Sequence, residues 1–100
     1  MKTLKINPQV YDDLEDIRAY IASDSEEQSE KVILKILSDM EKLERFPDMG
    51  TRLCNKVRID AKYRYIMTYS YATVYYTDNE NVYVTTVLHL ARDFSAIDFK

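Results

Sequence analysis

A chain of 100 residues has room for one hydrophobic core, and residues 1–100 read as a single domain. With 46% hydrophobic and 31% charged residues it has a globular composition, and its longest uncharged run, Tyr65 to Thr77, falls short of the ~20 apolar residues of a membrane span. The net charge of −3 argues against direct binding of free DNA, which favours a basic surface.

In chain order, Thr3 to Ile6 leans towards a strand. Asn7-Pro8 then opens a helix, with Asn as N-cap and Pro at the first helical position. Val10, Leu14, Ile17 and Ile21 fall on one stripe of that helix. Asp12, Asp13, Glu15 and Asp16 lie off the stripe and read as a solvated face. Ser25 with Gln28 fits a capping box and starts a second helix. Its stripe is Ile33, Ile36, Leu37, Met40 and Leu43, and it must end before Pro47. A short joint between two such helices predicts an antiparallel hairpin.

From Tyr63 the period changes to two. Tyr63, Tyr65, Met67 and Tyr69 alternate with Arg64, Ile66 and Thr68, which marks a strand. Ala72 to Thr77 and Val82 to Leu90 are two more, joined by the turn residues Asp78 to Asn81. Strict alternation along the last strand puts Val82, Val84, Leu88 and Leu90 on the face towards the helices. It points His89 away from them. Asp93 to Phe99 can close the chain with a helical turn in which Phe94 and Ile97 pack back. The expected class is α+β, in the order β-α-α-β-β-β with a short C-terminal helical turn. A small antiparallel sheet is packed by an N-terminal helical hairpin, and the first strand joins the sheet edge.

The residue inventory narrows the chemistry. Gly50 is the only glycine, which excludes phosphate-cradling loops. One His and one Cys cannot build a zinc site; an all-carboxylate metal site stays open but has no motif behind it, and no metal or cofactor is expected. Cys54 cannot form an internal disulfide and has no neighbouring His to activate it. No basic segment followed by an apolar block opens the chain, which points to the cytoplasm. Charge is unevenly spread: residues 1–50 carry seven basic and twelve acidic groups, residues 51–100 seven and five. Arg52, Lys56, Arg58, Lys62 and Arg64 stand close together against Asp60 alone, a small patch for an anion or an acidic partner. Seven of the nine tyrosines fall between Tyr63 and Tyr83; they suit a half-exposed sheet or line a binding surface. His89 is either a structural residue at a strand end or a general base, with Arg64 and Arg92 as candidate clamps on a developing phosphorane charge.

Four segments, in order, are similar to the RelE/ParE toxin superfamily of type II toxin–antitoxin systems. Leu43-Glu44-Arg45-Phe46-Pro47-Asp48-Met49-Gly50 resembles that family's L-x-x-F-P-x-x-G end of the second helix. Tyr63-Arg64 resembles the aromatic-Arg strand opening. Tyr71 with Val74-Tyr75 resembles the strand that follows. Val87-Leu88-His89-Leu90-Ala91-Arg92-Asp93 resembles the V-L-H-x-x-R-D ending. The resemblance implies a bacterial toxin held inactive by a cognate antitoxin. RelE-like members cut mRNA on the ribosome without a metal; ParE-like members inhibit DNA gyrase.

The residues lean to the ParE-like branch. Ala72 stands where RelE-like nucleases carry an Arg, and loss of such a donor costs ~10²–10³ in rate. The acidic charge and the absence of a C-terminal Tyr point the same way. The expected partners are therefore the antitoxin and DNA gyrase, with no membrane. The expected binding residues are Arg52, Lys56, Arg58, Lys62, Arg64, Tyr71, Tyr75 and Tyr83. The alternative is a ribosome-dependent, metal-independent mRNA endoribonuclease with His89, Arg64 and Arg92 as its catalytic set.

Overall fold

Helix formation follows the caps and stripes of the sequence. In a computed structural model, which describes residues 1–52 and 62–89, helix α1 runs over Pro8–Ala22. The Asn7 side chain caps it by accepting from the Gln9 amide at 2.9 Å. Helix α2 spans Glu26–Glu41 and is capped by Ser25 Oγ, which accepts from the Gln28 amide at 3.1 Å. The expected capping box is half used, because the Ser25 amide donates to Ile21 O instead. The chain then tightens into a 3-10 turn at Lys42–Glu44.

The apolar stripes meet as predicted. Val10, Leu14 and Ile17 of α1 pack with Val32, Ile33, Ile36 and Met40 of α2, and Leu43 closes the cluster. Val10, Ile36, Met40 and Leu43 are wholly buried. Each such side chain contributes about 1.5–3 kcal/mol relative to exposure.

The sheet has five strands: β1 Thr3–Ile6, β2 Thr51–Arg52, β3 Arg64–Thr68, β4 Tyr71–Thr77 and β5 Asn81–His89. Their spatial order is β1-β5-β4-β3-β2. The expected class and edge position of the first strand hold, with two differences. β1 pairs with β5 in parallel, because the helical hairpin carries the chain back over the sheet face before the meander begins. The two-residue β2 is an additional strand that lines up antiparallel with β3. The outer edge of β1 is covered by Glu44, whose carbonyl accepts from the Lys2 amide and whose carboxylate accepts from the Leu4 amide. Covering an edge in this way removes donors that would otherwise recruit another strand. The expected C-terminal helical turn, with Asp93, Phe94 and Ile97, lies outside the described residues, as do Cys54, Asp60 and Leu90.

The turn between β3 and β4 places Tyr69 at a φ of 55°, the left-handed region that favours glycine. Its ring is exposed.

One irregularity in β5 reverses an expectation. Tyr75 pairs with Val84 but Val74 pairs with Thr86, which leaves Thr85 as an extra residue. A bulge of this kind exchanges the two faces of everything beyond it. Val82 and Val84 therefore face the helices before the bulge, and Val87 faces them after it. His89 follows Val87 to the same side. Its ring lies 5.7 Å from that of Tyr20 on α1 and 4.8 Å from that of Tyr71. The reading that pointed His89 away from the helices is corrected accordingly.

Asp13 holds the bulge. Its Oδ2 accepts from Thr86 Oγ1 at 2.6 Å and from the Val87 amide at 3.0 Å. It is thus not part of a merely solvated acidic face. Hydrogen bonds to a charged acceptor contribute more than neutral ones, so Asp13→Ala is expected to lower stability by about 2 kcal/mol. Urea unfolding checks this. A loss under about 0.5 kcal/mol, the usual range of a surface change, would show that the bulge holds without Asp13.

Candidate functional site

Two ends of the sheet hold the residues with chemical potential. At the first end, Pro47 and Gly50 leave the 3-10 turn and pass beneath β4. Tyr75 is wholly buried, and its hydroxyl donates to Pro47 O at 2.7 Å while accepting from the Gly50 amide at 2.9 Å. Burial pushes the Tyr75 phenol above its ordinary value, and the Gly50 amide and Arg64 oppose that push. The hydroxyl therefore stays protonated and keeps its donor role. Arg64 Nη1 donates to Gly50 O at 2.8 Å and to Asp48 O at 3.2 Å. Its other Nη stands 4.0 Å from the Asp48 carboxylate. These bonds fasten the 47–50 segment to the sheet.

At the second end, His89 sits between Tyr20 and Tyr71. Tyr71 is buried in the main cluster. The two ends are far apart. Arg64 pairs with Tyr75, and His89 pairs with Tyr71 on the other side of β4. That places them about 13 Å apart along β4 and about 10 Å apart across two strand spacings. One phosphate must lie within about 3 Å of both a base and its electrostatic clamp. Arg64 and His89 therefore do not converge on one reacting group.

The other expected residues divide. Burial takes Tyr71 and Tyr75 out of the surface that a partner can touch, which corrects their reading as exposed sheet tyrosines. The signal that separates them from their neighbours is the register of β4, which sequence alternation alone does not fix. Tyr83 lies on the opposite face with Tyr63 and Tyr76. Tyr76 stacks on Tyr83 at 4.9 Å and meets Tyr63 edge-on at 5.4 Å. Lys62 Nζ stands 4.3 Å from the Tyr76 ring centre, a cation–π distance. The Tyr83 hydroxyl donates to Asp78 Oδ2 at 2.9 Å, and that bond raises the phenol above its ordinary value. Asp78 is held below the usual carboxylate range by the amides of Glu80 and Asn81. Arg52 is exposed on β2 and lies opposite Arg64. Lys56, Arg58 and Arg92 lie outside the described residues.

Among the described residues, no group of three or more His, Cys, Asp or Glu could hold a metal. No described helix is long and apolar enough to cross a membrane.

The profile of the family described as "ParE toxin of type II toxin-antitoxin system, parDE" matches residues 4–94. Among solved structures, the chain is similar to one titled "Chromosomal ParDE TA system from P. aeruginosa", with a TM-score of 0.70 and 15% identity, covering 89% of this chain and 96% of that one. It is also similar to the YoeB dimer from Staphylococcus aureus, with a TM-score of 0.56 and 15% identity, covering 85% and 92%. At this identity the two structures bear on the fold alone. A search of curated proteins finds no match. The chain belongs to the ParE toxin family of type II toxin–antitoxin systems, which implies a cognate antitoxin as partner.

Proposed function

We propose that this ParE-family toxin acts in the cytoplasm as a single domain, inhibits DNA gyrase by protein contact, and is neutralised by its cognate antitoxin. The observation that carries the reading is the separation of Arg64 from His89 at opposite ends of β4. A metal-independent nuclease needs a base and a charge stabiliser at one phosphate. Here the Arg64 guanidinium is committed to the 48–50 backbone, and the His89 ring is packed between Tyr20 and Tyr71. Ala72 supports the same reading, since its methyl group offers nothing to a phosphate.

On this reading Lys62 and Tyr83 belong to a contact surface on the face of the sheet away from the helices, while Arg52 stands on the other face, in register with Arg64 and Tyr75. Arg64 and Tyr75 fasten the 47–50 segment beside it.

The test is a supercoiling assay with purified chain and DNA gyrase, beside a cleavage assay on translating ribosomes. Inhibition of supercoiling with intact mRNA is expected. Site-specific cuts in mRNA that disappear in His89→Ala would overturn the proposal in favour of the endoribonuclease.

A further inference from the structure

Phe46 and Met49 are the ends of one tight turn. The Met49 amide donates to Phe46 O at 3.2 Å, and Pro47 and Asp48 are the central residues. Proline at the second position of such a turn presets its backbone angle. Both end side chains stand in solvent, Phe46 59% and Met49 46% exposed.

The base of the turn is rigid. Tyr75 and Arg64 fix Pro47 O, Asp48 O and both backbone groups of Gly50. Two large apolar groups on a fixed backbone lose little freedom on binding, so more of their burial appears as affinity. Around them, Arg45 and Arg52 are exposed, while the charge of Asp48 is partly offset by Arg64 at 4.0 Å. The rim is therefore net basic.

We propose that the 46–49 turn is a docking knob whose Phe46 and Met49 enter an apolar, acid-rimmed pocket on the folded protein that the toxin inhibits. Shape selects this partner. A turn is convex and fits a concavity, whereas an antitoxin segment that orders as it binds needs a groove to lie in. A nucleic-acid strand needs a series of stacking rings along a basic track. This turn offers one ring, a thioether and a carboxylate. The inference rests on the reading that the toxin acts by protein contact.

The test compares the full wild-type chain with a Phe46→Ala/Met49→Ala double variant in four measurements: thermal unfolding, growth arrest on expression, supercoiling by DNA gyrase, and antitoxin affinity. The double variant is expected to unfold at the wild-type midpoint, to inhibit supercoiling at least about 10-fold more weakly, to cause no growth arrest, and to bind antitoxin as before. Inhibition and arrest at wild-type strength would overturn the knob. So would a selective loss of antitoxin binding, or a loss of affinity for a labelled single-stranded RNA that wild type binds. Wild-type arrest without effect on gyrase would overturn the gyrase reading alone, and the difference in arrest between the two chains would still decide the knob. A wild-type chain that causes neither effect overturns both. If the double variant melts early, Met49→Lys on its own carries the same comparison.

Discussion

Gly50→Ala is expected to be among the most destabilising single-methyl changes in this chain, at about 3 kcal/mol. A Cβ built at Gly50 would stand 2.4 Å from the Tyr75 hydroxyl, 2.7 Å from its Cε1 and 2.9 Å from Tyr65 O. Two of these neighbours cannot give way. Tyr75 is wholly buried and bonded to Pro47 O, and Tyr65 O belongs to the backbone of β3. The chain must then lift the 47–50 segment, which breaks the bonds from Tyr75 and Arg64 as well. For a domain of this size the loss lowers the unfolding midpoint by more than about 10 °C.

Tyr75→Phe removes the same latch from the other side, leaving the Gly50 amide and Pro47 O without that partner, and costs about 2 kcal/mol. Because both changes act on one bond, the double variant is expected to lose clearly less than the two singles combined. Denaturant titration of the four proteins checks this. Full additivity, or a Gly50→Ala loss within about 0.5 kcal/mol, would show that the latch does not hold the segment.

The lone glycine illustrates how far the sequence could be read. Its position was visible, together with the Phe46-Pro47 pattern before it, but the reason for it is a tyrosine 25 residues away. Local signals were legible throughout. Asn7, Ser25 and the two apolar stripes set both helices where they stand, because caps and periodicity act within a few residues. The meander was legible for the same reason.

What failed was non-local. Thr85 and Thr86 carry no Gly or Pro to mark a bulge, so alternation alone runs one residue too far and puts His89 on the wrong face. Tyr75 and Tyr76 are neighbours of the same type, and only their pairing partners decide that one is buried and the other stacks on Tyr83. Arg64 read as a phosphate clamp because a guanidinium suits that task. Its partners here are backbone carbonyls of a segment that sequence spacing does not bring to it.

Asp39 carries no local signal either, since its partner Thr68 lies 29 residues away, and its replacement has the other large expected effect. It is a buried carboxylate on α2, with Oδ2 accepting from Thr68 Oγ1 at 2.7 Å and Oδ1 from Lys35 and Lys42 at 2.7 and 3.2 Å. Thr68 ends β3 just before the left-handed Tyr69, so this bond ties the helix layer to the strained turn. Asp39→Ala strands a Thr68 hydroxyl that is only 2% exposed and is expected to cost about 3 kcal/mol.

The pH dependence has a definite sign. Burial pushes the Asp39 carboxyl up, but the bonds from Lys35, Thr68 and Lys42 together outweigh it, and the net shift is downward. With its folded value below its unfolded one, the unfolded chain binds more protons between the two, so stability rises with pH across that interval. The contribution is fully present above about pH 4, the unfolded carboxyl range, and is lost as pH falls through the folded value. Asp39→Asn keeps an acceptor for Thr68 but has no charge to lose. Its stability should therefore trail wild type at neutral pH, and the gap should close as pH falls below the unfolded carboxyl range and through the folded value. Urea unfolding of both proteins across that range decides it. A gap that stays constant would mean that the Thr68 bond alone, indifferent to charge, joins α2 to the hairpin.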